Sequence, residues 1–474
     1  MTRNRAALIL MGGSVLFYLP FAARYFLGDD WLWLATGIRT LHDPGMLLER
    51  PMYGYWRPFY SVWISLWMYL VGAHPWFYSA VSLVLHGLNA VLIYTLLLRL
   101  GATRQMAGVA AGLFAVYYLN APVVTWIAPA HDMIVTALSL AVCLTTLNFI
   151  ETRRSLWLLA ATLCWLSAAL TKESGFVAIA PALLLFLMYR QNPFKAPALW
   201  YTLAAVLVGV GYLMFYFTGR VYVDKALVVQ PSALIYLWYL LAYLILPLSA
   251  RIAAMVPSSF HPFLVAAKVI ATVAVPVIAW VVWRRGDKAV RFFALWSFLF
   301  VLPVVLFDWN VSLFTLYPER TVSRFMYMSS IGTMVLLSWG LDYVWRRWCA
   351  RLKWHAALFA TVALLVVLIN GGIIYKVTAK YRYGQSVDKQ NFTTVTTAVT
   401  QSGRSYLTVV VPEMDTLPQF LADSMLIKAM ALVGTGQDVS VDVRSSADSV
   451  GDDHALLWWD DTAGLLSATP INPE

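Results

Sequence analysis

Long apolar runs separated by short polar turns organise the first 375 residues. Runs long enough to span a hydrocarbon slab at about 1.5 Å per residue fall at 6–27, 75–98, 105–121, 131–150, 155–171, 174–189, 196–218, 262–283, 290–307, 325–345 and 355–375. Two further apolar stretches, 57–72 and 232–249, are ambiguous by pattern alone. The tail differs in kind. Segments 405–411 (SYLTVVV) and 439–445 (SVDVRSS) alternate as strands do, 454–459 (HALLWW) is a third strand candidate, and 417–434 reads as an amphipathic helix. The pattern predicts a mainly α, polytopic membrane domain over residues 1–375 and a small α/β domain over 376–474.

Composition supports the lipid environment. Of 474 residues, 61% are apolar or aromatic and only 12% are charged, about half the charge that coats a soluble protein. That excludes a cytosolic enzyme, a disordered scaffold and a secreted disulfide domain. Aromatics reach 15% with 21 Trp, as expected for rings lodged at membrane interfaces. The net charge of +10 invites a nucleic-acid reading, but its distribution does not. Residues 376–474 carry 7 basic and 12 acidic side chains, net −5, and the first 375 carry 27 and 12, net +15. Basic residues scattered through short loops are topology signals.

The positive-inside rule then selects among topologies. With Arg3 and Arg5 cytoplasmic, the inner loops hold Arg99/Arg104, Arg153/Arg154, Arg190/Lys195, Arg284/Arg285/Lys288/Arg291 and Arg346/Arg347/Arg351/Lys353. This works only if 57–72 and 232–249 do not cross, which makes them outer juxtamembrane or re-entrant helices. About eleven spans remain, with the N-terminus cytoplasmic and the C-terminal domain non-cytoplasmic, in a bacterial or archaeal plasma membrane or an ER membrane.

Candidate chemistry gathers at the outer helix ends, where both signs of charge mix. Asp29 and Asp30 directly follow the first span. Adjacent carboxylates beside a low-dielectric slab repel, so at least one has a raised pKa or finds a cation. One so placed can act as general base toward a hydroxyl; a solvated helix end is the competing reading. Tyr55-Trp56-Arg57-Pro58 opens the 57–72 helix, with Arg57 either a ligand or a snorkelling interfacial cation. Lys172-Glu173 lies in a tight turn where the two pair with each other or Lys172 meets a phosphate. Arg320 and Arg324, four residues apart after Glu319, present two guanidiniums to a phosphate or to lipid headgroups. His131-Asp132 caps a further span. His86 and Asn89, three apart within a span, read as an interhelical hydrogen-bonding pair.

No His, Cys or Glu spacing matches a transition-metal site. Acidic pairs hold Mg²⁺ or Mn²⁺ without such a motif, so a divalent metal is admitted but not required, and no cofactor is demanded. Cys143 and Cys164 lie in apolar runs and Cys349 in a basic loop, which supports neither a disulfide framework nor a metal cluster. Asn310 and Asn391 begin glycosylation-type triplets, a weak signal.

In order along the chain, Asp29-Asp30, Tyr55-Trp56-Arg57-Pro58, His86-Gly87-Leu88-Asn89, Lys172-Glu173 and Pro318-Glu319-Arg320 with Tyr327 resemble the GT-C superfamily of polytopic glycosyltransferases. The resemblance points to the protein O-mannosyltransferase branch and its tetratricopeptide-repeat transmembrane members, although the tail has no such repeat. It implies a polyprenyl or dolichyl phosphate sugar donor, a mannose-type hexose or similar, and a protein, glycan or lipid hydroxyl acceptor. Transfer would occur with inversion on the non-cytoplasmic face. It also implies Asp29 or Asp30 as the base and Arg57, Lys172, Arg320 and Arg324 as holders of the lipid phosphate. Tyr55, His131, Glu173 and Glu319 would support them. The main alternative is a transporter or flippase for a lipid-linked or anionic solute, and a third is a non-catalytic scaffold. Charges at helix ends, and no visible inverted repeat, favour the enzyme.

Overall fold

A computed structural model of the chain describes residues 2–48, 56–190, 207, 209–211, 232–247, 256–305, 322–349, 354–411, 424–444, 454–460 and 465–468. The helices are α1 Arg3–Tyr18, α2 Asp29–His42, α3 Pro58–Val71, α4 Pro75–Arg99, α5 Arg104–Val116, α6 Ala130–Thr152, α7 Leu156–Thr171, α8 Ile179–Met188, α9 Ser232–Ile245, α10 His261–Arg285, α11 Lys288–Val305, α12 Ser330–Arg347, α13 His355–Ser402 and α14 Met425–Thr435. Local chemistry starts several of them. Thr2 and Thr103 cap α1 and α5 by accepting from the Arg5 and Met106 N–H groups, and Pro58 sits in the first turn of α3.

Among the described residues, six helical segments are long and apolar enough to cross a membrane: Arg3–Phe21, α4, α6, Ser258–Arg285, α11 and α13. A seventh forms if α5 and the bent helical stretch Tyr118–Val124 count as one span. The protein is thus an integral membrane protein, while the expected count of eleven is not reproduced. Run 155–171 becomes a 16-residue helix, and 174–189 a 3₁₀ turn followed by ten α-helical residues. Both fall short of the roughly 20 residues of a perpendicular crossing. Run 325–345 becomes the 18-residue α12, and 196–218 lies almost wholly outside the described residues. Helices α3 and α9, each 14 residues, are likewise too short to cross upright.

The chain divides into two compact units. One comprises Met1–Ala22, Val81–Thr125 and Pro129–Thr378. Here α6 packs on α7, and α12 packs on both α5 and α11. Hydroxyls and small residues join the last three. Ser297 Oγ donates to the Ser329 carbonyl at 2.6 Å, Trp296 Nε1 to the Met328 carbonyl at 2.9 Å, and Ser338 Oγ to the Met106 carbonyl at 2.8 Å. These bonds suit an interface without water, where every polar group must find protein. A buried polar chain crosses the same unit. His86 Nε2 faces the Ala115 carbonyl at 3.3 Å, which fixes the proton there, so Nδ1 accepts from Tyr327 Oη at 2.7 Å. Asn89 Nδ2 donates to Tyr327 Oη and to the Met133 carbonyl. His86 and Asn89 therefore act as the interhelical pair their spacing suggested.

The other unit joins Ala23–Ala80, Trp126–Ala128 and Ala379–Glu474. Its four-stranded sheet runs β2-β1-β3-β4, with β1 Tyr406–Val410, β2 Ser440–Arg444, β3 His454–Asp460 and β4 Leu465–Ser467. Central β1 pairs in parallel with β2 and β3, and β4 pairs antiparallel to β3. The first three strands match the alternating segments of the sequence; the short β4 was not foreseen. Helix α14 packs on α2, and α2 on α3. Helix α13 does not stop at its apolar stretch. It runs for 48 residues, about 72 Å at 1.5 Å per residue, and its second half belongs to this unit. Asn391 on that half is 2% exposed and its Oδ1 accepts from the Leu466 N–H at 2.8 Å, so the folded chain does not offer it as a glycosylation acceptor. Asn310 lies outside the described residues.

At the α11–α12 crossing, a Cβ on Gly332 would collide with the Phe293 carbonyl oxygen and Ser297 Oγ. Gly332→Ala is expected to cost about 1–3 kcal/mol by overpacking, read as a lower thermal midpoint in detergent. Gly340→Ala on the same helix meets nothing within 4 Å and is expected to leave the midpoint unchanged or higher.

Candidate functional site

The acidic pair begins α2 in the second unit. Gly28 is the residue before the helix and has φ +53 and ψ −114, a backbone state that side chains with a Cβ rarely adopt. That turn places Asp29 and Asp30 in the first helical turn, where the macrodipole favours negative charge. The two carboxylates then differ sharply. Asp30 is 1% exposed; its Oδ2 accepts from the Leu27 N–H at 2.8 Å and its Oδ1 from the Ala128 N–H at 2.5 Å. Both oxygens are engaged by main-chain donors. Trp126 Nε1 donates to the Leu27 carbonyl and Tyr60 Oη to the Ala128 carbonyl, so Asp30 staples segment 126–128 to the loop. Burial pushes its carboxyl well above the usual carboxylate range, against the pull of the two N–H groups and with Asp29 and Asp388 adding to the rise. Asp29 is only half-buried.

Arg57 is buried beside α2, its Cζ 5.9 Å from the Trp33 ring centroid, a cation–π distance. A residue that sequence reasoning missed completes this unit's acidic cluster. Asp388, 7% exposed on α13, accepts from the Gly28 N–H through Oδ2 at 2.6 Å. It lies 13 residues past the apolar stretch of α13, about 20 Å further along the helix and thus beyond the hydrocarbon. Burial raises its carboxyl to about 6, opposed by the Gly28 N–H.

Two of the expected cations, Lys172 and Arg324, sit in the first unit. Lys172 follows the last residue of α7 and is 7% exposed. Its Nζ lies 2.5 Å from Asp132 Oδ1, and His131 Nε2 lies 3.3 Å from Asp132 Oδ2. Asp132 stands in the first turn of α6 and is 4% exposed. Lys172 Nζ is also 5.0 Å from the centroid of the Phe325 ring, and Arg324 Cζ is 4.9 Å from that same centroid. One aromatic ring thus brings together two of the four expected phosphate-binding cations. Glu173 opens the 3₁₀ turn after Lys172. Tyr55, Glu319 and Arg320 lie outside the described residues. Asp132 was visible in sequence only as a helix-end acid; its partner is forty residues away. Asp388 had one faint signal, the i, i+3, i+4, i+7 spacing of Gln385, Asp388, Lys389 and Phe392.

Among the described residues, no three His, Cys, Asp or Glu side chains come close enough to hold a metal ion. Asp30 directs both oxygens at main-chain N–H donors and as placed does not fit a divalent ion.

No protein-family model matches this chain, and no curated protein does. Solved structures do. The oligosaccharyltransferase of Archaeoglobus fulgidus, tethered to an acceptor peptide containing the NVT sequon, superposes over 93% of this chain with a TM-score of 0.53 at 12% identity. The same archaeal enzyme, AglB, in complex with an inhibitory peptide and a dolichol-phosphate, matches over 90% with a TM-score of 0.50 at 12% identity. Its complex with zinc and sulfate matches over 93% with a TM-score of 0.51 at 13% identity. This chain spans 64%, 63% and 62% of those structures respectively. At this identity the likeness shows a fold shared with that archaeal oligosaccharyltransferase.

Two expectations follow from these clusters. Lys172→Met leaves Asp132 buried without its lysine, a change of about 3–5 kcal/mol. The single variant is expected to lose thermal stability in detergent, and Asp132→Asn/Lys172→Met to recover most of it; equal losses in both would show that the pair is not coupled. Stability should also fall as pH rises from about 4 to 6. The unfolded Asp388 releases its proton near the ordinary value of 3.8 while the folded one holds it to about 6, so the native state binds more protons across that window. Asp30 acts in the same direction. Asp388→Asn should flatten the slope of thermal midpoint against pH.

Proposed function

We propose that this protein is a membrane glycosyltransferase that moves a monosaccharide from a polyprenyl or dolichyl phosphate donor to a hydroxyl acceptor. The observation that carries this reading is the acidic pair at the start of α2, immediately after the first span, on a fold shared with a lipid-phosphate-binding oligosaccharyltransferase. Within the pair, Asp30 has both oxygens engaged and almost no exposure, whereas Asp29 is half-buried. A general base must first reach the proton it removes. We therefore assign the base to Asp29 and a structural role to Asp30.

In the proposed reaction the Asp29 carboxylate takes the proton of the acceptor hydroxyl. The acceptor oxygen attacks the anomeric carbon from the face opposite the phosphate, and the bond from that carbon to the phosphate oxygen breaks. The lipid phosphate departs with the electron pair, and the product is inverted. Cations stabilise the departing charge, and Lys172, Arg324, Arg57 and Arg320 are assigned to that task. The shared Phe325 ring beside Lys172 and Arg324 supports those two most directly. Lys172 is itself held by Asp132. His131, Tyr55, Glu173 and Glu319 take supporting roles. A mannose-type hexose is the first sugar to try, after the protein O-mannosyltransferase resemblance. The reaction side is the non-cytoplasmic face, with the N-terminus cytoplasmic, the membrane domain over 1–375 and the C-terminal domain over 376–474. The acceptor is a hydroxyl of a protein, glycan or lipid.

The test is transfer from a synthetic polyprenyl phosphate mannose in proteoliposomes. Asp29→Asn is expected to lower kcat by about 10²–10⁴-fold with the donor KM little changed. Arg324→Gln is expected chiefly to raise the donor KM. Full activity of a folded Asp29→Asn variant would eliminate the assigned base. Absence of transfer from any polyprenyl phosphate sugar by wild-type protein, with vesicle-to-vesicle movement of that lipid instead, would favour the flippase reading.

A further inference from the structure

The loop that carries the acidic pair is gripped along its length by one face of α13. The Arg24 N–H donates to Gln385 Oε1 at 3.3 Å, and the Gly28 N–H donates to Asp388 Oδ2 at 2.6 Å. Lys389 Nζ lies 5.8 Å from the Tyr25 ring centroid, and Phe392 stacks on Trp31 with centroids 4.6 Å apart and planes at 15°. A Cβ at Gly384 would lie 2.7 Å from Leu27 Cδ1, so the loop and the helix meet without a gap. Residues 385, 388, 389 and 392 share one helical face by their spacing. Together these contacts reach the loop from Arg24 to Trp31.

Only one of these contacts bears on the backbone immediately before the acidic pair. Gly28 holds a positive φ, and the N–H held by Asp388 belongs to that residue. Its neighbourhood is open, with nothing within 4 Å of a Cβ built there. Hydrogen-bond acceptors hold the turn, Asp388 at the Gly28 N–H and Asp30 at the Leu27 N–H. The direction in which Asp29 leaves the turn depends on that torsion.

We propose that Asp388 is a positioning residue for transfer, whose carboxyl oxygen holds the Gly28 turn and thereby aims Asp29 at the acceptor hydroxyl. This rests on the assignment of Asp29 as the base. Asp388 does not touch substrate and exchanges no proton with it. What it supplies is an acceptor oxygen at a fixed place, which an asparagine carbonyl can supply equally. The consequence is that a residue about 360 positions from the acidic pair, on the helix that continues beyond the last span, belongs to the catalytic apparatus.

The experiment compares Asp388→Leu, Asp388→Asn, Gly28→Ala and Asp29→Asn in the proteoliposome assay with polyprenyl phosphate mannose. Thermal midpoints are read in parallel. Asp388→Leu is expected to lower kcat about tenfold or more, the scale of a displaced catalytic group, with the donor KM within about twofold of wild type. Asp388→Asn is expected to stay within about threefold of the wild-type kcat. Gly28→Ala strains only the backbone torsion and is expected to reproduce the kcat loss of Asp388→Leu. If Asp388→Leu fails to fold, the contrast between Asp388→Asn and Gly28→Ala decides. Wild-type kcat in Asp388→Leu or Gly28→Ala, or a loss in Asp388→Asn equal to that in Gly28→Ala, would overturn the positioning role while leaving an inactive Asp29→Asn to uphold the base. Wild-type kcat in Asp29→Asn would overturn the base assignment and the positioning role together.

Discussion

A carboxyl group withdrawn from water must be matched by donors or cations, and each compact unit meets that demand in its own way. Asp30 is matched by main-chain N–H groups of Leu27 and Ala128, which cost no second charge and lock the loop in place. Asp132 is matched by Lys172, with His131 Nε2 3.3 Å from its other oxygen; the lysine makes this an ionic solution and stays buried beside an aromatic ring. The first solution yields rigidity and holds the neighbouring Asp29 half-exposed. The second sets the charge balance around Arg324 and Phe325. Breaking the first leaves a polar group, and breaking the second a charge, where hydration cannot reach it.

Rigidity of the acidic loop has a further source in α13. A 48-residue helix exceeds by more than twofold the roughly 20 residues that a crossing needs. Its excess length carries the face that holds residues 24–31. The second compact unit is thus stitched from three distant pieces of chain: the loop and helices after the first span, the three residues 126–128, and the tail from 379 onward. The mixed sheet also belongs to this unit, with α14 against α2 and an Arg39–Asp438 ion pair at 3.0 Å. A tail of this size buries too little apolar surface to be comfortable alone, and its contacts with α2 and its own long helix supply what the sheet lacks.

Legibility in the sequence followed the range of the interaction. Apolar runs become helices because the period and the absence of charge are local properties, and 75–98, 131–150 and 262–283 emerge as α4, α6 and α10 within a few residues. Strands β1, β2 and β3 were equally visible as alternation. Span counting was less secure, because a 16-residue helix such as α7 has the composition of a span without its length. The division of the chain at 376 followed the composition shift, yet α13 passes through that point without a break. Hydrophobicity changes there while helix propensity does not, and only the former registers in an apolar pattern.

What the sequence determined by itself is the solvent and the chemistry available. Twelve per cent charge requires lipid, and the position of Asp29, Asp30, Lys172 and Arg324 at helix ends marks them as reactive candidates. Tertiary structure decided how those residues differ. Adjacent in sequence and identical in type, Asp29 and Asp30 are separated by the Ala128 N–H, which reaches one and comes from a segment about a hundred residues away. Lys172 acquires Asp132 instead of standing alone, and the Gly28 turn acquires Asp388. Each of these is a hydrogen bond or ion pair between groups far apart in the chain. Composition and spacing cannot report such contacts, because they exist only once the backbone has brought the partners within about 3 Å.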